Sequence, residues 1–178
     1  RGETSADFQR IEERMKPEGP MQRRSLITTA FALLALRPAT AVAATEASFP
    51  FTLTEAEWRA RLSPEAYAVL REEDTERAFT SPLNDEKRAG MFHCAGCDQA
   101  VFAAEHKFDS GTGWPSFWQE VPGAVGFRED RSFFMTRTEE HCSNCGGHLG
   151  HVFDDGPEPT GKRHCINGVA LRFQPAAA

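Results

Sequence analysis

The sequence predicts a mainly β domain, an antiparallel sandwich or barrel, entered through two short helices and stapled by cysteine knuckles. Three observations carry this. From Thr75 onward segments are short, Gly and Pro recur and helical periodicity is absent, the texture of many short strands joined by turns. Just before Thr75, two helix-start signals stand close together. Five cysteines divide into two identical hooks, Cys94-x-x-Cys97 and Cys142-x-x-Cys145, and a solitary Cys165.

The first forty-odd residues are unlike the rest. Met21-Gln22-Arg23-Arg24 precedes an apolar run of 11 residues, Leu26 to Leu36, and then a small-residue stretch, Ala39 to Ala44. A basic start, a short apolar centre and an A-x-A site make an export signal. The run is well short of the roughly 20 residues that span a bilayer. Arg23-Arg24-Ser25-Leu26-Ile27 resembles a twin-arginine signal, with the general secretory route as the alternative. The expected layout is an upstream segment over 1–20, the signal over 21–44 and one domain over 45–178, exported to the periplasm without stable membrane insertion. That domain holds 13 Lys/Arg against 21 Asp/Glu, a net charge of about −8. So acidic a surface excludes nucleic acid, which needs a basic footprint.

Thr54 and Glu57 form a capping box that opens a helix over Glu55 to Leu62. Ser63-Pro64 supplies an N-cap and N1 proline for a second helix reaching about Glu73. Trp58, Leu62, Tyr67 and Leu70 are spaced to form one apolar face. Strands are expected at Gly90 to His93, Ala100 to Phe102, Trp114 to Glu120, Val125 to Arg128, Ser132 to Thr138, His148 to Phe153 and Arg163 to Phe173.

Four thiolates at the spacing of Cys94, Cys97, Cys142 and Cys145 are enough to close a tetrahedral Zn²⁺ site. Redox-active disulfides are the alternative, but neither hook sits between an apolar strand and a long helix, as a dithiol motif requires. The fifth thiol, Cys165, then has no structural partner and is a candidate nucleophile. Arg163, two residues away, shares its face on a strand and favours thiolate. Asn167 shares that face too. The bland alternative for Cys165 is a small buried hydrophobe. His148 and His151, three apart in a Gly-rich stretch, can move protons near neutral pH. Trp114, in a tight turn, suits the wall of an apolar pocket or the core.

These segments resemble, in register, the signatures of the B-type methionine sulfoxide reductases: Phe79 to Asn84, Cys94 to Cys97, Phe108 to Phe117, Gly147 to Phe153 and Arg163 to Asn167. The similarity runs from about Phe51 to Phe173. It implies two antiparallel sheets, one structural zinc and reduction of the R epimer of methionine sulfoxide in oxidised proteins. On that resemblance Cys165 is the catalytic cysteine and His151 the acid, with His148 beside it. Trp114, with Phe153, holds the substrate methyl, and Asn167 and Arg163 orient the site. Many members carry a cysteine where this chain has Thr112, so Cys165 sulfenic acid is expected to be reduced by an external partner, a thioredoxin-like protein or another thiol. His164 and Gly168, where tyrosine and serine are common, are expected to tune the pocket. The competing readings are a non-catalytic zinc module of the same fold and a dithiol oxidoreductase.

Overall fold

The computed structural model describes residues 48–132 and 135–177, so the expected export signal lies outside the described residues. Helix α1 (Glu55–Arg61) opens as expected, with Thr54 N–H donating to the Glu57 carboxylate at 2.8 Å and Glu57 N–H returning to the Thr54 hydroxyl. Helix α2 (Pro64–Glu72) starts where the Ser63 hydroxyl accepts Ala66 N–H at 3.1 Å, and it ends at Glu73 in the left-handed region. Trp58, Leu62, Tyr67 and Leu70 are all buried. They form the apolar face that their spacing requires.

Among the described residues nine strands follow: β1 (Gly90–Cys94), β2 (Ala100–Ala103), β3 (Lys107–Phe108), β4 (Ser116–Phe117), β5 (Val125–Asp130), β6 (Arg137–Cys142), β7 (His148–Phe153), β8 (Arg163–Ile166) and β9 (Leu171–Pro175). They make two antiparallel sheets, one ordered β2-β1-β9 and the other β3-β4-β8-β7-β6-β5. Between them lie Phe92, Phe102 and Phe117, fully buried, with ring centroids 4.4–4.9 Å apart.

The structure differs from the sequence reading in three places. The run Arg163 to Phe173 is two strands, because a 3-10 turn at Gly168–Ala170 sends β8 into one sheet and β9 into the other. Trp114 to Glu120 contributes only Ser116–Phe117, since the preceding Gly111 and Gly113 hold the chain in left-handed turns. β6 begins at Arg137 and runs to Cys142, later than the span Ser132 to Thr138, of which Phe133 and Phe134 lie outside the described residues. Glu139 and Glu140 hid this strand, because two adjacent carboxylates do not read as a buried segment.

Candidate functional site

Two centres occupy the domain. The first is built by the hooks. Each closes with the residue after its second cysteine in the left-handed region, donating its N–H to the first cysteine's carbonyl. Asp98 N reaches Cys94 O at 2.9 Å and Gly146 N reaches Cys142 O at 2.8 Å. The four sulfurs lie within 4.8 Å of one another, with Cys94–Cys145 at 3.7 Å and Cys97–Cys142 at 3.5 Å. A tetrahedral ion with Zn–S bonds of 2.3 Å needs sulfur–sulfur edges of about 3.8 Å, so the donor set fits a metal of that kind. Cys94 ends β1 and Cys142 ends β6, so a metal here joins the two sheets. Arg71 donates to Cys145 O at 3.0 Å and Trp58 packs against Gly96, which brings both helices onto the same knot.

The second centre is a pocket of about 110 Å³ lined by Thr75, Trp114, Arg137, Gly150, His151, Phe153, Cys165 and Asn167. Cys165 on β8 pairs with His151 on β7 and with Ser116 on β4, so register sets thiol and imidazole side by side. Burial pushes the Cys165 thiol up. Thr112, whose Oγ1 lies 3.8 Å from Sγ, and Arg163 oppose that rise. Arg163 is itself held by both Asp155 oxygens, at 2.8 and 2.9 Å, with its guanidinium 4.4 Å from the centre of the Phe153 ring.

His151 Nε2 lies 2.8 Å from Asp130 Oδ2. Hydrogen bonds from Ser132, then His151 and Arg137, hold the Asp130 carboxyl well below the usual carboxylate range. An ionised carboxylate only accepts, so Nε2 carries the hydrogen and Nδ1 is the nitrogen free to exchange a proton. Burial holds His151 below the ordinary histidine range, and Asp130 works against it. His148 is buried behind His151, with ring centroids 5.4 Å apart, and does not line the pocket. Its Nδ1 meets Glu139 Oε1 at 2.7 Å. Burial pushes Glu139 up, but the His148 and Arg128 hydrogen bonds outweigh it and the carboxyl stays below its usual range.

Asn167 lines the pocket, but its amide is committed elsewhere: Nδ2 donates to Leu149 O at 3.0 Å and Oδ1 accepts Glu76 N–H at 2.9 Å. Glu76 is the hub of this wall. Its carbonyl accepts Trp114 Nε1–H at 2.9 Å and its carboxylate accepts Gly168 N–H at 2.6 Å, so one residue sets both the indole and Asn167. His164 faces away from the pocket, as strand alternation requires, with Nδ1 2.6 Å from buried Glu140. Gly168 has no room for a side chain, since a Cβ there meets the Ser81 hydroxyl.

Sequence reasoning missed Asp130, Arg137, Glu76 and the contact of Thr112 with the sulfur. Asp130 and Arg137 sit among alternating charges that read as a solvated face, and no local signal separates them from their neighbours. Arg137 lines the pocket and Asp130 reaches it only through His151; β5 and β6 pair the two, Arg137 Nη2 donating to Asp130 at 2.6 Å.

The SelR domain family matches residues 62–175, which takes in both hooks, Trp114, His151 and Cys165. The peptide methionine sulfoxide reductase MsrB of Agrobacterium fabrum is 52% identical over 123 residues, 68% of this chain and 91% of that protein. The protein of the same name from Thiobacillus denitrificans is 54% identical over 123 residues, 68% of this chain and 93% of that protein. The rice peptide methionine sulfoxide reductase B1, chloroplastic, is 48% identical over 128 residues, 71% of this chain and 60% of that protein. With fold, sulfur knot and pocket in agreement, this chain belongs to the SelR-domain family of B-type methionine sulfoxide reductases.

Proposed function

We propose that the chain reduces the R epimer of methionine sulfoxide in oxidised proteins, with Cys165 as nucleophile. The observation that carries this is the convergence of Cys165, His151 and Trp114 on one small pocket, from three elements brought together only by the fold. Sulfoxide oxygen leaves sulfur only once protonated, so a thiolate needs an acid across the substrate sulfur from it. Cys165 attacks that sulfur while His151, keyed by Asp130, delivers a proton from Nδ1 to the oxygen; the sulfur–sulfur bond so formed breaks when the hydroxyl adds to the Cys165 sulfur and methionine leaves. Trp114 and Phe153 flank the methyl. Oxygen passes from substrate to Cys165, so the thiol becomes a sulfenic acid and the sulfoxide becomes methionine, two electrons moving from one sulfur to the other.

Position 112, beside the sulfur, holds a threonine, and the other four cysteines form the knot. Two external thiol equivalents therefore return Cys165 to the thiol, giving a disulfide and water, and a thioredoxin-like dithiol or a small thiol can supply them. The metal at the knot is proposed to be zinc. Bound there, it supplies structure and takes no part in the reaction.

The test is turnover of the R and S epimers of a blocked methionine sulfoxide with dithiothreitol, using native protein and Cys165→Ser. The R epimer alone is reduced, and the variant loses that activity at least a thousandfold by the scale of nucleophile removal. A folded, metal-bound protein that reduces neither epimer sinks the reading in favour of a binding module.

A further inference from the structure

We infer that Thr112 is the hydrogen-bond donor to the Cys165 sulfur, and that it donates through a chain of three hydroxyls whose direction reverses as Cys165 changes between thiol and thiolate. The inference rests on the reading of Cys165 as nucleophile.

The chain lies in the turn before β4. Thr112 Oγ1 is 3.8 Å from Cys165 Sγ and 2.8 Å from Ser110 Oγ. Ser110 Oγ is 2.7 Å from Ser116 Oγ, which in turn lies 3.1 Å from the Trp114 carbonyl. Ser116 is fully buried and is the register partner of Cys165, so the turn and the nucleophile strand are held as one piece.

Counting hydrogens shows what the chain can do. It has four links, from sulfur to Thr112, to Ser110, to Ser116 and to the carbonyl, and each hydroxyl brings one hydrogen. With Cys165 as a thiol, four hydrogens serve four links, all pointing from sulfur toward the carbonyl. The carbonyl can only accept, so this direction is forced, and Thr112 then accepts from S–H. Once the thiol has lost its proton, three hydrogens remain for four links. The favourable arrangement turns Thr112 round to donate to the charged sulfur, because a hydrogen bond to an ion outweighs one between neutral groups. The link given up is the weakest one, at the carbonyl or along the chain. A side chain carrying the right atom but unable to rotate could not serve both states.

Other groups face Cys165 as well. Arg163 on β8 favours the thiolate by charge and by hydrogen bond while Asp155 holds its other side, and His151 on β7 has Nε2 committed to Asp130. Arg137 on β6 is drawn to Asp130 and Ser132, while buried Glu140 on β6 opposes a second negative charge. Thr112 is the nearest neutral donor left to the sulfur.

The experiment reads Cys165 directly. In the metal-loaded protein, alkylation of the Cys165 peptide by iodoacetamide is followed by mass spectrometry from pH 5 to 10, since only thiolate reacts. Thr112→Val, which keeps the shape, moves the midpoint up by about one pH unit, the scale of one hydrogen bond to an ion. Thr112→Ser restores the native midpoint. Ser110→Ala moves it down, because Thr112 loses the acceptor that competes for its hydrogen. A Thr112→Val midpoint equal to the native one overturns the proposal, and so does Ser110→Ala moving upward with Thr112→Val. Because this readout involves no sulfoxide, the expected shifts in a protein that reduces neither epimer leave the hydroxyl chain standing and remove only the reductase reading.

Discussion

In the proposed mechanism His151 gives up a proton, and Asp130 fixes which nitrogen gives it. Its carboxylate is kept ionised by Ser132, His151 and Arg137, so it can only accept, and the exchangeable proton falls to Nδ1. It also holds the protonated form of His151 up against the burial that pushes it down. Asp130→Asn removes the charge and keeps the shape. The acid form of His151 is lost as pH rises through its pKa, and without Asp130 that pKa falls further. The high-pH limb of the kcat profile therefore moves to lower pH, and kcat at pH 7 drops about tenfold, part of the roughly 10²–10⁴-fold that a well-placed acid contributes. Rate profiles from pH 5 to 9 for the two proteins check this. An unshifted limb would mean that Asp130 only ties β5 to β6.

At the level of elements, the site depends on how closely β7 can approach β8. Gly150 pairs with Ile166, and a Cβ there would stand 2.0 Å from the Cys165 carbonyl oxygen. Gly150→Ala must push apart the two strands that carry His151 and Cys165. It is expected to cost about 3 kcal/mol by forced repacking. It should also lower kcat, because the two side chains proposed to react hang on the displaced backbone. Urea unfolding midpoints and turnover measured on the same preparation check both effects, and an alanine variant as stable and as active as native would sink the argument. The helices and β7 were legible because their signals are local: a capping box, a proline after serine, a short run set off by Gly146-Gly147. The break between β8 and β9 was not, because β-propensity is continuous from Arg163 to Phe173 and only the choice of sheet divides it. For the same reason Cys165, His151 and Trp114 could be named from their motifs, whereas Asp130 and Arg137 act only through a pairing that no spacing records.

Across the whole molecule, the sulfur knot does what a larger core would do. Cys94 closes the three-stranded sheet, Cys142 closes a strand of the six-stranded one, and Arg71 and Trp58 bring both helices to the same point. Three of the four cysteines are buried, and 3.5–3.7 Å between sulfurs is a spacing that metal ligation suits. Structural zinc in small domains contributes roughly 10–16 kcal/mol. An entire domain is stable by only about 5–15 kcal/mol. Removing the metal is therefore expected to unfold the domain and not merely to weaken it. Chelation should abolish the near-ultraviolet circular dichroism of the buried aromatic cluster and end sulfoxide turnover over the same range of chelator, with both returning on addition of zinc. A dithiol enzyme working through the hooks would behave oppositely, since free hooks would keep or gain activity. The pocket holding Cys165 contains no knot residue, so its chemistry needs the metal only through the fold that β6, β7 and β8 share.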